Sequence, residues 1–310
     1  MNPHITDPNA HTYPAGLTHK TGRNQALRAA LASDQFLIAP GAFDCLSARL
    51  VEKAGFGAVY LTGSGMSMSA LGAPDVGLMT FSEVLDRAKR IADLVSIPVI
   101  VDADTGYGGP LNVVRTVREF ERAGVSAIQL EDQAWPKKCG HEAGRQLVST
   151  QEMVGRIKAA VDARLDKDLL IIARTDARSD HGLQAAIERG QQYAQAGADV
   201  IFVESPQSRE ELATVGESFT VPLLANMVEG GRTPILPAAE LLSLGFSLAI
   251  YPNALTRLFA KAGLQMLAQL SEDGTTDRCR EQMFNHRELW SLFEYEKWTG
   301  TENRLKDGQG

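Results

Sequence analysis

The sequence predicts a (β/α)8 TIM-type barrel on three observations. Eight short β-type runs are almost continuously apolar, amphipathic helical stretches lie between them, and charged or polar residues gather at the C-terminal ends of the runs. Strands covered by helices on both faces read as unbroken Val, Ile, Leu and Ala rather than as an alternating pattern. Eight such units joined by helices are best closed into a barrel, with an open doubly wound sheet as the structural alternative.

Residues 1–18 are polar and rich in Pro, His and Asn and are expected to form a mobile arm. His4, His11 and His19 go with it and take no role. The apolar runs follow: FLIAP (36–40), AVYLTG (58–63), PVIVDAD (98–104), AIQLED (127–132), LLIIARTD (169–176), VIFVES (200–205), PLLANM (222–227) and LAIYP (248–252). Three helix starts read as capping boxes, Thr80 with Glu83, Ser149 with Glu152 and Ser208 with Glu211. The pairs Ala54-Gly55, Ala123-Gly124 and Ala196-Gly197 read as helix stops before strands. Two more helices are expected at about 254–270 and 279–298, with a tail at 301–310. No linker or low-complexity segment divides the chain, so residues 19–300 are expected to form one domain.

Hydrophobic residues make up 44% and charged residues 22% of the 310, a globular composition that excludes wholesale disorder and collagen-like repeats. The net charge of −7 supplies no positive field for non-specific nucleic-acid binding. No apolar run reaches the roughly 18 residues that span a bilayer. The N-terminus lacks the apolar region of a secretory signal. Cys45, Cys139 and Cys279 are odd in number and widely spaced, which fits a reduced cytoplasm better than a disulfide framework.

In a barrel, catalytic groups sit at the C-terminal ends of strands. There the sequence places Asp102 and Asp104, Glu131 and Asp132, Arg174 and Asp176, Glu204, and Asn226. A spacing of two puts Asp102 and Asp104 on one face of their strand. Carboxylates aimed at one point repel each other unless a cation lies among them, and oxygen-only ligands suit Mg2+ or Mn2+. Zinc is disfavoured because no His/Cys cluster has ligand spacing. None of the ten lysines falls in a predicted strand, which argues against a Schiff-base aldolase and for metal-assisted chemistry. The segment WPKKCGHEAGR (135–145) sets Cys139 among Lys137, Lys138 and His141, which lower a thiol pKa, while Gly140 and Gly144 give it the pliability of a lid. Cys45 and Cys279 read as inert filler. TGSG (62–65) offers backbone N–H groups to an anion or simply turns the chain, and GYGG (106–109) is a weaker signal of the same kind.

The segments DADTGYG, EDQAWPKKCGH, ARTDAR and ANMVEGGRTP closely resemble the isocitrate lyase/phosphoenolpyruvate mutase superfamily, over nearly all of residues 20–300. KKCGH resembles its Cys-containing lyase branch; the phosphonate-forming mutases lack that cysteine. The chain is too short for an isocitrate lyase proper. Two short-chain groups remain: the 2-methylisocitrate lyases, and the 2-alkylmalate group that includes 2,3-dimethylmalate lyase and the petal death protein. PGAFDCLSARL, GGPLNV, WPKKCGH and EGGRTP are more similar to the second. Arg257 matches an arginine of the first, while His286 stands where those enzymes carry a second substrate-binding arginine, unless Arg287 takes that part.

The resemblance implies that Asp102 and Asp104, with Glu131 behind them, hold Mg2+. Thr62, Gly63 and Ser64 hold the α-keto acid end, and Arg174 pairs with the α-carboxylate or the developing oxyanion. Glu204, Asn226, Lys137, Gly140, His141, Pro252 and Arg257 line the substrate pocket. Tyr60 and Asp75 lie near the substrate hydroxyl, and Cys139 is the general acid. The implied reaction is cleavage of a 2-hydroxy di- or tricarboxylate, 2-methylisocitrate or a 2-alkylmalate, into pyruvate and succinate or propionate. The rivals are oxaloacetate hydrolysis, against which Pro252 resembles the lyases, then a phosphonate-forming mutase and a non-catalytic barrel. The resemblance also implies that the eighth helix is exchanged between subunits, giving dimers paired into a tetramer, with no nucleic-acid or membrane partner.

Overall fold

The computed structural model describes residues 13–17, 20–138, 140 and 144–307. All eight predicted runs are strands: β1 Leu37–Ala42, β2 Val59–Leu61, β3 Val99–Asp102, β4 Ala127–Glu131, β5 Leu170–Thr175, β6 Val200–Val203, β7 Leu223–Asn226 and β8 Leu248–Tyr251. Each pairs in parallel with its sequence neighbours, and β8 pairs with β1, Leu37 opposite Leu248, to close the barrel. The open-sheet alternative is excluded.

Side-chain alternation divides the core in two. Tyr60, Ile100, Ala127, Leu170, Ile172, Val200, Phe202, Leu224, Leu248 and Ile250 point inward and pack as one cluster, to which Leu27 and Leu31 of the first helix, Arg23–Leu31, contribute. Their neighbours Leu61, Val101, Ile128, Leu130, Ile171, Ala173, Ile201 and Val203 point outward and pack under the surrounding helices. Both strand faces are therefore dry, which is why the runs are apolar without a break. The inward set has a parity, and every chemically active residue at the barrel mouth shares it.

Helix boundaries follow the sequence with two corrections. Thr80 and Glu83 form the full reciprocal box. Ser149 and Ser208 cap their helices, but Glu152 turns to Arg156 at 2.7 Å, and Glu211 binds Arg178 and the Gln207 N–H, so no reciprocal bond forms. The Ala-Gly stops hold, with Gly55, Gly124 and Gly197 all at positive φ. The helix expected at about 254–270 runs Ala254–Asp273. The one expected over 279–298 is broken. A 3-10 turn Asp277–Gln282 precedes helix His286–Leu292, started by an Asn285–Glu288 box, and left-handed Glu294 (φ 57°) opens Tyr295–Lys306, which runs into the expected tail. Of the N-terminal arm, Ala15 N donates to Glu294 Oε2 at 2.8 Å, and the Arg304 guanidinium stacks 5.2 Å over the Tyr13 ring. No helix among the described residues is long and apolar enough to cross a membrane.

Candidate active site

The inward parity carries on past the strand ends, so Tyr60–Thr62, Asp102–Asp104, Gln129–Glu131, Arg174, Glu204, Asn226 and Pro252 arrive at one mouth. Most of them line an inner cavity of about 40 Å³, floored by Tyr60, Asp102 and Arg174. Above it opens an outer cavity of about 840 Å³ that shares Ser64, Asp75, Val228 and Asn253 with the inner one.

Asp102 is held from two sides. Its Oδ1 accepts from the Asp104 N–H at 3.1 Å and from Gln129 Nε2 at 3.4 Å, and Gln129 Oε1 in turn accepts from Tyr60 OH at 3.1 Å. Burial, reinforced by Asp102, pushes the Tyr60 phenol well above its usual pKa, so it stays a neutral donor that positions this chain. Sequence reasoning missed Gln129, although its place two residues before Glu131 on the inward face was a sufficient signal.

Asp104 sits in left-handed backbone (φ 48°) and its Oδ1 lies 2.7 Å from Lys137 Nζ, which also donates to Asp75 Oδ1 at 2.6 Å. Lys137, expected on the substrate, is thus buried between two carboxylates. Burial would lower its pKa, but Asp104, Glu131, Asp75 and Asp102 outweigh that and raise it well above the usual value. Asp104 is pushed up to about 6 by burial, against the pull of Lys137 and with the repulsion of Asp102 and Asp75. Burial also raises Glu131 well above the carboxylate range. Its Oε2 lies 3.5 Å from Arg174 Nε and its Oε1 is buried with no hydrogen-bond partner.

Arg174 donates twice to Asp176, and its Nη2 lies 3.7 Å from Glu204 Oε2. The guanidinium rests 5.1 Å over the Phe202 ring, one layer down in the barrel. Glu204 accepts from Ser205 Oγ at 2.9 Å and from Asn226 Nδ2 at 3.0 Å, leaving Asn226 Oδ1 buried without a partner. Asp132 is different: as the outward neighbour of Glu131 it accepts from Thr175, Tyr193, Arg189 and the Asp176 N–H, and so anchors the strand end to the helix layer.

Thr62 caps helix Gly63–Leu71, its Oγ1 accepting from the Gly65 N–H at 3.2 Å, so TGSG is a helix N-terminus facing the cavity rather than a bare turn. A Cβ on Gly63 would stand 3.0 Å from Asp102 Oδ2, and one on Gly140 only 2.2 Å from Arg174 Nη2; both close approaches require glycine. Pro252 lines the inner cavity and Arg257 the outer one. Arg257 Nη1 is bound to the Glu229 carbonyl. His286 and Arg287 flank a separate surface pocket beside Trp290. Cys139 and His141 lie outside the described residues. Cys45 is half-buried, with a thiol pKa raised by burial, and Cys279 is buried, as inert positions should be.

Among the described residues no three His, Cys, Asp or Glu side chains form a group that could hold a metal ion by themselves. The donor chemistry nevertheless fits a hydrated Mg2+, which takes few direct protein ligands. All the candidate donors are carboxylate oxygens, Glu131 Oε1 has no hydrogen-bond partner, and the absence of a Cβ at Gly63 keeps the Asp102 Oδ2 side of the site clear.

The chain belongs to the isocitrate lyase/phosphoenolpyruvate mutase superfamily, on its carbon–carbon lyase side. It matches the phosphoenolpyruvate phosphomutase family over residues 27–271. It is 48% identical to the 2,3-dimethylmalate lyase of Eubacterium barkeri over 91% of this chain and 98% of that protein. It is 43% identical to the 2-methylisocitrate lyase of Halalkalibacterium halodurans over 90% and 92%. A crystal structure of 2,3-dimethylmalate lyase matches with a TM-score of 0.87 at 38% identity, covering 93% of this chain and 96% of that one. Enzymes of the superfamily are in general Mg2+-dependent.

Proposed function

We propose that this enzyme cleaves a 2-alkylmalate of the 2,3-dimethylmalate type into pyruvate and a monocarboxylate such as propionate, with Mg2+ as cofactor. One observation carries the choice of substrate. The outer cavity presents Met68, Pro74, Val76, Val228 and Ala260, an apolar wall suited to alkyl substituents, and its Arg257 is already engaged by Glu229. The relative of higher identity, 2,3-dimethylmalate lyase, supports the same choice. Arg257 at this wall favours a second reading, 2-methylisocitrate cleaved to pyruvate and succinate, in which a third carboxylate displaces Glu229.

Asp102 and Asp104, with Glu131 behind them, would hold Mg2+, whose charge acidifies the 2-hydroxyl and stabilises the dianionic product half. Arg174 receives the carboxylate beside that hydroxyl, and the amides opening helix Gly63–Leu71 accept negative charge at the keto-acid end. A general base takes the hydroxyl proton, and C2 becomes the ketone of pyruvate as the C2–C3 bond breaks and its electron pair passes to the leaving carboxylate. Cys139 then gives its proton to C3 of that enediolate. Asn226 and Glu204 shape the wall behind Arg174. Pro252 supports a lyase over an oxaloacetate hydrolase.

We further propose a cytoplasmic homo-oligomer. Helix Ala254–Asp273 buries none of its residues in its own chain, and Leu258, Phe259, Leu264 and Leu267 are all more than half exposed. Exchange of this helix between two copies would cover that face. The substrate test is a panel of 2,3-dimethylmalate, 2-ethyl-3-methylmalate, 2-methylisocitrate, isocitrate and oxaloacetate ranked by kcat/KM. First rank for 2,3-dimethylmalate supports the proposal, and first rank for either tricarboxylate or for oxaloacetate overturns it.

A further inference from the structure

Gln133 stands two residues past Glu131, at the foot of the loop that carries Lys137. Its backbone pairs with Leu147 in an antiparallel bridge, and the next N–H, that of Ala134, donates to the Gln146 carbonyl at 2.7 Å. The side chain therefore rises from a fixed base, and it is buried. Both ends of its amide meet one residue of the loop. Nε2 donates to the Lys138 carbonyl at 2.9 Å, and Oε1 accepts from the Lys138 N–H at 2.9 Å. A buried side chain thus holds a backbone unit at two points, as a neighbouring strand would. The Lys138 side chain is itself exposed, so the clasp serves the backbone and what adjoins it.

Lys137 adjoins it, with Nζ 2.6 Å from Asp75 and 2.7 Å from Asp104. The facing segment is tied down separately. Ser67 Oγ lies 3.0 Å from the carbonyls of both Ala73 and Pro74 and donates to them, just before Asp75. A lysine on its four-carbon stem has many ways to meet a carboxylate, so an ion pair alone does not fix where the ammonium sits. Gln133 supplies that constraint from the lysine's side. The placement matters for charge. The mouth gathers Asp75, Asp102, Asp104, Glu131 and Glu204, and Lys137 neutralises the two that it touches. Lys137 also lines the outer cavity, so with its ammonium displaced that wall would repel an anion.

We propose that Gln133 is a positioning residue for substrate binding: by clasping Lys138 it sets the Lys137 ammonium between Asp75 and Asp104, and so keeps the outer cavity open to a carboxylate substrate. The kinetic consequence rests on the lyase reading above, and the placement of Lys137 does not. Gln133 also hydrogen-bonds Asp176, the partner of Arg174, which is the rival route to any kinetic effect.

Two readouts test the proposal on the full-length protein. The first needs no substrate. An N-hydroxysuccinimide ester of acetate labels lysines, and mass spectrometry compares Lys137 with the exposed Lys138. Wild-type Lys137 is expected to be protected, because a buried, ion-paired ammonium is a poor nucleophile. In Gln133→Met, which keeps the volume and loses both bonds, its labelling should rise about tenfold or more. The second readout is KM for the best substrate of the panel. It should rise about tenfold in Gln133→Met with kcat within about threefold, whereas a lesion confined to the fold lowers the active fraction, and with it kcat, and leaves KM. In a Lys137→Met background the same substitution should change KM less than about twofold, while an effect passing through Arg174 would persist there. Should Gln133→Met fail to fold, Gln133→Asn, one methylene too short to reach Lys138, is expected to give the same two changes. Unchanged Lys137 labelling, an unchanged KM, or the full KM effect in the Lys137→Met background overturns the proposal. A wild type that turns over no member of the panel refutes the lyase reading instead, and the labelling alone then decides this inference.

Discussion

Arg174 and Asp176 form a two-point pair across two residues of one strand end, Nε to Oδ2 at 3.0 Å and Nη2 to Oδ1 at 2.8 Å. Arg145, from the base of the lid segment, shares the same Oδ1 at 2.5 Å and is itself buried, with Nε and Nη2 unpartnered. The arginine proposed to meet the substrate is therefore oriented by an acid that also ties down Arg145. Asp176→Asn should destabilise the fold by ~3–5 kcal/mol, the scale of breaking a buried ion pair. KM should rise as Arg174 loses its orientation. Urea unfolding and steady-state kinetics read the two effects.

The same pair sets an acid limit on stability. Burial disfavours ionised Asp176, but Arg174 and Arg145 outweigh it and hold its pKa below the usual value. A depressed carboxyl pKa contributes stability above the unfolded-state value of about 3.9, and that contribution is lost as pH falls through the lower folded value. Wild-type Tm should therefore fall more steeply than that of Asp176→Asn below about pH 4, as followed by circular dichroism.

Asp102→Ala should abolish turnover while far-UV circular dichroism stays native. Mg2+ added to the wild type should raise its Tm, as any ligand of the folded state does, and should leave the variant's unchanged. Full activity of Asp102→Ala in EDTA would sink the metal assignment.

If Cys139 is the proton donor, Cys139→Ser keeps the volume and loses the acidity. The kcat should drop by about 10² to 10⁴, with KM changed little, because the proposed binding contacts are Arg174, Mg2+ and the helix Gly63–Leu71 amides and not Cys139. Cys45→Ser and Cys279→Ser serve as controls and should keep kcat close to wild type. A wild-type kcat in Cys139→Ser would remove the donor role.

Gly140→Ala forces a methyl group to within 2.2 Å of Arg174 Nη2. The loop or the guanidinium must yield, so kcat/KM should fall by about one to two orders of magnitude, the cost of a ~1 Å misplacement. Tm should hold, because the position lies on a loop and not in the core. An unchanged kcat/KM would show that Gly140 does not press on Arg174 during turnover.

The barrel was legible because its strands are dry on both faces, and the mouth was legible because polar residues could occur only at strand ends. Asp102, Glu131 and Arg174 were found on that logic and arrive as expected. The pattern did not say which of two adjacent acids turns inward, so Asp132 and Glu131 looked alike in sequence although only Glu131 turns inward beside Arg174. The resemblance implies Lys137 at the substrate pocket, and it does line the outer cavity. Its pairing with Asp75 and Asp104 depends on three segments meeting in space, which no local spacing encodes. The broken C-terminal helix was missed because its apolar residues kept helical spacing across Asn285 and Glu294, where capping and left-handed backbone decide the matter.

Because inward and outward residues alternate singly along β4, the two acids at its end are separated in role by a single position. A one-residue deletion within residues 127–130 would bring Asp132 to the inward place of Glu131 and put Glu131 in the outward place of Leu130, under the helix layer. The surrounding loops can lengthen or shorten over evolutionary time without such an exchange. The strands cannot, so the reading frame of these short segments is the least negotiable part of the gene.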